Sequence, residues 1–490
     1  MNTTIIDSGQ ASIALGLMAL TLLVALGLSV WGRGAQSLEQ WSVASRGFGS
    51  VLIFMLLAGE IYTTFTFLGG SGWAYARGAP AYYIIGYASV AYAASYWLLP
   101  AIWRRGVSWQ VITQPEYFAR AYNSPWLGRV VAIVGTGALI PYLVLQLKGL
   151  GILVSESSYG LINADLAILI GTAALTVYVV LSGVRGSAYT AAFKDVLVLC
   201  TVAGLGIALP ITLHGGIGPM FDTLIARQPA FFVFPERGLS GTWYTSTILM
   251  TVFGFYMWPH TFGSVFAARS DASFRRNAIL MPLYQIVLLF VFFIGFAAIT
   301  AVPTLTGSEA DLALLRVTRV SYGPWVLGLV GAAGLLTALV PGSLILMATA
   351  TILARLITSS IRTDARSEVR IAQLMVPLVA AVALFFVYRG GQTIVTLLLF
   401  AYAIVTQLFP AVLLSVLWPH RTNAVAAAVG MVAGLGVVAY TTVSGTTLAT
   451  MLPSVSHHIT DINLGVLALL VNVAVLALFT IVTPKSVPAT

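Results

Sequence analysis

Four ionisable residues stand inside long apolar stretches of this 490-residue chain: Glu60, Lys148, Lys194 and Asp195. A charge at the centre of a bilayer costs about 2.5–3.5 kcal/mol on insertion scales. Each such group therefore faces a cavity, meets a partner or snorkels to the surface. Glu60 is the sharpest case. It lies about eleven residues into its apolar run, and a Glu side chain is too short to reach water from there. Two roles are open to it: a protonated acid bonded to a neighbouring helix, or a carboxyl lining a functional cavity. Lys148, in Leu147-Lys148-Gly149-Leu150-Gly151, and Lys194 lie nearer the ends of their runs. For both, anchoring at the interface competes with function. Asp195 follows Lys194 directly and points about 100° away on a helix, so the two need not pair.

The residues around Glu60 point to a broken helix. Gly59, Glu60 and Tyr62 are followed by Thr63, Thr64 and Thr66, and then by Gly69-Gly70-Ser71-Gly72. Glycine permits an unwound stretch, and unwound backbone at membrane depth is tolerated only where it is buried in protein or lines a cavity. A second break is expected in Gly254-Phe255-Tyr256-Met257-Trp258-Pro259-His260, because Pro cannot continue the hydrogen-bond ladder. Trp258 and His260 then line a site, or else serve the core by packing and by bonding a carbonyl. Two interrupted helices in corresponding places of two halves point to a solute site near the midplane. No metal-ligand spacing, nucleophile triad or phosphate loop stands out. Of His214, His260, His420, His457 and His458, only the last two are adjacent. The expectation is a protein that is not an enzyme and has no metal centre or cofactor.

These residues need a scaffold, and composition says which. The chain is 59% hydrophobic and 8% charged, with a mean hydropathy of +0.95. A soluble domain carries about 25% charged residues, so most of this chain faces lipid or its own interior. Apolar runs of about 20 residues, the length that crosses the hydrocarbon core, recur thirteen times: 13–31, 49–74, 82–102, 130–154, 163–181, 190–212, 242–267, 279–300, 324–357, 371–387, 393–417, 424–443 and 462–482. The ninth is too long for one straight pass and is expected to bend at Pro341-Gly342 or to extend beyond the membrane. If the N-terminus is outside, sixteen Lys and Arg fall in inner loops, among them Arg33, Arg355, Arg362 and Lys485, against six in outer loops. That bias predicts N-outside, C-cytoplasmic topology in the cell (inner) membrane. The net charge of +9 is read as this loop bias, and nucleic acid is not an expected partner. The first ten residues hold Asp7 and no Lys or Arg, so the first run reads as a retained helix and not a signal peptide. Cys200 is the single cysteine, which excludes an internal disulfide. A channel would need a continuous polar stripe, and the polar positions here are isolated. About eight residues follow the last run, too few for a soluble sensor domain.

Several segments, taken in order, resemble motifs of the sodium/solute symporter family: Thr113-Gln114-Pro115-Glu116-Tyr117-Phe118, Gln146 to Gly151, Tyr178 to Gly186, Pro259-His260, and Pro410 with Asn423, Gly430 and Gly434. The resemblance implies an all-α, LeuT-like transporter of about thirteen helices in a single transmembrane domain, 1–490. Its two inverted five-helix repeats would be spans 2–6 (48–212) and 7–11 (242–417). It implies alternating access around a site between broken spans 2 and 7 and spans 4, 9 and 11. Gly59, Glu60, Tyr62, Thr63, Thr64, Gln146, Lys148, Lys194, Asp195, Trp258 and His260 are the site candidates.

The departures are as informative. Sodium-coupled members carry an aromatic residue, Thr, Asp and, three positions later, Gln on span 6. This chain has Tyr189, Thr190, Ala191 and Lys194. A Ser-Thr pair expected on span 9 is replaced by Leu339 and Val340, with Thr337 nearby. The usual sodium site is thus degenerate. In some sodium-independent transporters of the wider fold a Lys takes the cation's place. The expectation is that Lys194 substitutes for the ion and Glu60 carries a coupled proton. Ala58–Tyr62, Trp258–His260 and Phe193-Lys194-Asp195 are similar to the monocarboxylate-permease branch, which implies small carboxylates such as lactate, pyruvate or acetate. A sodium-coupled symporter of an amino acid or other metabolite stays open.

Overall fold

The computed structural model describes residues 8–31, 37–359, 363–419 and 421–483. Asp7, Arg33, Arg362, His420 and Lys485 lie outside the described residues. Among the described residues the regular elements are helices, and the one β contact is an isolated bridge between Phe48 and Ala268. Among the described residues nine helices are long and apolar enough to cross a membrane, ten when the bent pair Ser50–Ile61 and Phe65–Arg77 counts as one.

In chain order, span 1 is Ser8–Trp31, span 2 the bent pair and span 4 Pro125–Ser157; the helix Tyr83–Ser108, which falls outside that count, stands where the sequence places span 3. Ala164–His214 is 51 residues of helix. At 1.5 Å per residue it is about 76 Å long, more than twice the ~30 Å hydrocarbon core, so it holds two spans. They divide at Gly183, whose φ of 58° and ψ of −177° belong to glycine alone. The expected connection over 182–189 is therefore one strained residue, with the Trp41 ring 3.0 Å from where a Cβ would stand. The parts before and after Gly183 are spans 5 and 6.

The helices Gly241–Gly254 and Pro259–Phe266, likewise outside that count, stand where the sequence places span 7, and span 8 is Ala272–Ala301. Span 9, Pro324–Thr358, is one helix through Pro341. Its most apolar stretch is 94% buried, and it packs on spans 1, 4 and 10 and on the long helix of spans 5 and 6. Span 10 is Ala365–Val387, span 11 Ile394–Leu417, span 12 Ala424–Ser444 and span 13 Leu464–Val482.

The break in span 2 lies at Tyr62–Thr64, not at Gly69–Gly72. Tyr62 leaves helical geometry (φ −77°, ψ 76°), and the two halves are bent by 49°. Thr66 Oγ1 accepts from the Thr63 amide at 3.0 Å and donates to the Ile61 carbonyl at 2.9 Å. Those are backbone groups that lipid could not satisfy. The glycines stay helical and serve close packing instead: a Cβ on Gly72 would lie 2.6 Å from the Ala310 carbonyl oxygen. In span 7 the break falls as expected. Trp258 is extended (φ −68°, ψ 132°) and Pro259 opens the second half, where its missing N–H costs nothing. Phe48, entering span 2, exchanges backbone hydrogen bonds with Ala267 and Arg269, leaving span 7, at 3.0 and 2.8 Å. The two broken spans thus lie side by side and run in opposite directions.

Candidate functional site between the two broken helices

Glu60 ends the first half of span 2 and points at the second half of span 7. Thr261 Oγ1 donates to Glu60 Oε2 at 2.7 Å, and Ser264 Oγ donates to Oε1. His260 Nε2 lies 4.0 Å from Oε2, with the Glu60 and His260 side chains 8% and 2% exposed. These donors occupy the opening turns of Pro259–Phe266, where the helix dipole favours an anion. Tyr142 of span 4 donates to the Glu60 carbonyl at 3.3 Å. The Pro at 259 thus does two things: it breaks the helix, and it aims a hydroxyl-bearing helix start at the acid.

Lys194 is fully buried and reaches the back of the same break. Its Nζ donates to the carbonyls of Gly59 at 3.1 Å and Tyr62 at 3.0 Å, and lies 3.1 Å from Asp195 Oδ1. Lys194 and Asp195 therefore pair, because the four-carbon stem of Lys curls back toward its neighbour. A Cβ on Gly59 would lie 3.4 Å from Ala191 Cβ, 3.6 Å from Lys194 Nζ and 3.6 Å from Val340 Cγ1. Ala191, Lys194 and Val340 thus meet at one point beside Gly59, and an ammonium stands among them. Leu339 is buried in the core beside Val340. Thr337 is buried and donates to the Gly334 carbonyl of its own helix at 2.6 Å. Hydroxyls do lie one turn away on both helices, but Ser187 and Ser343 are bonded to each other at 2.9 Å.

Trp258 packs against Tyr142 (ring centroids 4.8 Å) and Tyr402 (5.1 Å), which closes the site with aromatic surface. Gln146, one turn beyond Tyr142 on span 4, is fully buried with neither amide atom bonded, and His260 Nδ1 is also without a partner. Buried polar groups are normally paired, so among the described residues these atoms, together with Thr64 Oγ1, are unpaired donors and acceptors of the site. Thr63 Oγ1 accepts from the Phe65 amide at 3.1 Å. Thr64 packs on Gly149, where a Cβ would sit 1.9 Å from Thr64 Cγ2. Both threonines hold the break open and neither reaches Glu60.

Lys148 is placed apart. It lies six residues beyond Tyr142 on span 4, about 9 Å along the axis. Its Nζ meets Asp311 Oδ2 at 3.1 Å and the Gln392 carbonyl at 2.7 Å. Asp311 also accepts from the Ile394 amide at 3.0 Å. Lys148 is a clasp between two connecting segments, not a partner of Glu60. Thr261, Ser264 and Tyr142 are site residues that the sequence reading missed. The available signal was a pair of hydroxyls two and five residues after Pro259, and a Tyr beside the mid-span Pro141.

Below His260 and Ser264 lies a cavity of about 20 Å³, enough for one water-sized group, that reaches Thr113 and Ile352. Thr113 and Ile352 also line a larger cavity of about 270 Å³. Its rim carries Arg355, 3.1 Å from Glu116 and 3.4 Å from Glu368. The motif around Thr113 builds this wall. Thr113 and Glu116 form a capping box, and Gln114 Nε2 donates to the Met257 carbonyl at 2.6 Å, in the break of span 7.

Two interrupted helices crossing beside a buried acid and a buried ammonium, within a multi-pass helical bundle, define a membrane transporter of the broken-helix type. The sodium:solute symporter family profile matches residues 41–434, and the chain belongs to that family. It is 49% identical over 469 residues to the symporter YhjB of Bacillus subtilis (strain 168), covering 95% of this chain and 96% of that one. It is 25% identical over 324 residues to a monocarboxylate transport permease protein of Rhizobium johnstonii, covering 65% and 64%. Its fold matches a solved Na+-coupled sialic acid symporter in a substrate-bound outward-open state. There the TM-score is 0.77 at 15% identity, over 96% of this chain and 98% of that one. The protein is a secondary symporter, of a family that moves a small solute with a coupling ion, usually Na+.

Proposed function

We propose that this symporter imports a small monocarboxylate, of the lactate, pyruvate or acetate type, with a proton and without sodium at the usual site. The observation that carries the reading is Lys194 Nζ on the carbonyls of Gly59 and Tyr62. A sodium ion about 4 Å from an ammonium is repelled by about 4 kcal/mol at an effective dielectric of 20, and Ala191 and Val340 offer it no oxygen. The fixed ammonium holds the broken helix at every stage of the cycle, so ion binding has nothing left to contribute there. Glu60 is the group that changes charge. It meets Thr261 and Ser264 of the other repeat, so protonation alters a contact between the two bodies that must rock. A substrate carboxylate would be received by the unpartnered Gln146 amide and His260, beside Trp258. Permease kinship supports the carboxylate class. We place the N-terminus outside and the C-terminus in the cytoplasm of the cell (inner) membrane on the loop charges, with the repeats as 48–212 and 242–417.

The sodium-coupled alternative, with an amino acid or other small metabolite as solute, is favoured by the Na+-coupled fold relative. Uptake of labelled lactate, pyruvate and acetate into proteoliposomes, with proton and sodium gradients imposed separately, decides between them. An inward gradient of one pH unit supplies about 1.4 kcal/mol, or tenfold accumulation for one proton per solute. That accumulation should vanish in Glu60→Gln while solute exchange persists. Uptake that needs sodium and ignores the proton gradient overturns the reading.

A further inference from the structure

A third cavity, of about 500 Å³, lies away from the site, open along the faces of spans 4, 10 and 11. Gly137, Pro141 and Val144 form one wall, and Phe386, Phe400 and Ile404 another. Gly137, Pro141, Val144 and Lys148 are spaced by three and four residues, so they share a single stripe of span 4. The cations are all at one end, where Lys148 and Arg389 form the rim. From Gly137 to Lys148 is eleven residues, about 16 Å of helix, or about half of the ~30 Å hydrocarbon core. The groove therefore has the depth of one leaflet, a positive rim and an apolar floor. Lys148 is already matched by Asp311 at 3.1 Å, whereas Arg389 lies 5.2 Å over the Phe385 ring and forms no ion pair among the described residues. The net charge at the rim is positive.

We infer that this groove is a binding site for an anionic phospholipid, its phosphate at Arg389 and Lys148 and one acyl chain along Gly137–Val144. Polarity and length both match a single lipid, and a chain that belongs to a multi-pass membrane family presents the groove to lipid. In the topology proposed above the leaflet is the outer one. Because Lys148 also holds Asp311 and Gln392, an occupied groove braces the segments that enter span 11.

The test is native mass spectrometry of the full chain in detergent, incubated with phosphatidylglycerol, phosphatidylcholine or oleate. The wild type should retain phosphatidylglycerol about fivefold over phosphatidylcholine, the preference one unpaired Arg near a membrane surface confers. Arg389→Ala should bring that ratio close to one, and Arg389→Lys should keep it. Gly137→Trp should lose both phospholipids; a Cβ there meets nothing within 4 Å, so the side chain enters the groove without displacing protein. Equal retention of the two phospholipids by the wild type, retention unchanged in Arg389→Ala and Gly137→Trp, or selective retention of oleate would each overturn the inference.

Discussion

Removing the Lys194 ammonium should expose the break in span 2 to its full electrostatic cost. In Lys194→Met the Gly59 and Tyr62 carbonyls lose donors at 3.1 and 3.0 Å, and Asp195 loses a cation 3.1 Å away, all without access to water. Breaking a buried ion pair by deleting one partner costs about 3–5 kcal/mol, mostly from the charge left behind. The carbonyl bonds are part of the same network and do not add in full. Lys194→Met/Asp195→Asn leaves no uncompensated charge, and replacing both partners of a buried pair is often close to neutral. The double variant should therefore recover more than half of the loss. Equilibrium unfolding in mixed SDS micelles measures the difference, with sodium or choline as the salt cation. Sodium should restore neither variant, since Ala191 and Val340 carry no ligand oxygen. The reasoning is refuted if the single variant loses less than about 1 kcal/mol, if the double variant is as unstable as the single, or if sodium rescues either one.

Further outcomes follow from the same geometry. Gly149→Ala puts a methyl 1.9 Å from Thr64 Cγ2, which should cost about 1–3 kcal/mol by overpacking. Thr64→Ala in the same chain should relieve it, as read by thermal unfolding. Ser264→Ala and Thr261→Val each remove one donor to Glu60. Each should slow proton-driven uptake, because each removes one of the contacts Glu60 makes across the two breaks; proton-driven uptake unchanged in both variants counts against Glu60 as the coupling group. Arg355 is 35% exposed in its pairs with Glu116 and Glu368, so Arg355→Gln should change stability by less than about 1 kcal/mol. It should nevertheless speed modification of Ile352→Cys by a membrane-impermeant thiol reagent, in a background where the exposed Cys200 is replaced. Unchanged labelling would mean that this cluster does not close the lower cavity.

Much of the architecture was legible in the chain. Apolar run length marks membrane spans directly, because the hydrocarbon core sets one length for every helix. The interruption at Pro259 was legible for an equally local reason, a missing N–H. The break in span 2 falls within the stretch around Glu60 that the sequence points to, at Tyr62–Thr64, and its physical cause differs from the expected one. Glycine freedom was weighed where Thr66 capping decides, and Gly72 turned out to serve its contact with Ala310. The turn at 182–189 was expected as a loop, since nothing local shows that a single Gly183 can divide 51 residues of helix.

The candidate site was legible as a set of residue types and not as an arrangement. The apolar run around it alone determined that Glu60 needs a partner or a cavity, and left Lys194 open between an interfacial anchor and a functional group. That Ala191, Leu339 and Val340 carry no side-chain oxygen could also be seen in sequence. Only the tertiary structure decided which partners answer them. Thr261 and Ser264 are about two hundred residues from Glu60, the carbonyls of Gly59 and Tyr62 are more than a hundred and thirty from Lys194, and Lys148 proves to be engaged with Asp311. The reason is physical. The cost of burying a charge belongs to one residue and its local surroundings, whereas its compensation is a through-space contact that exists only once helices from the two halves are packed together.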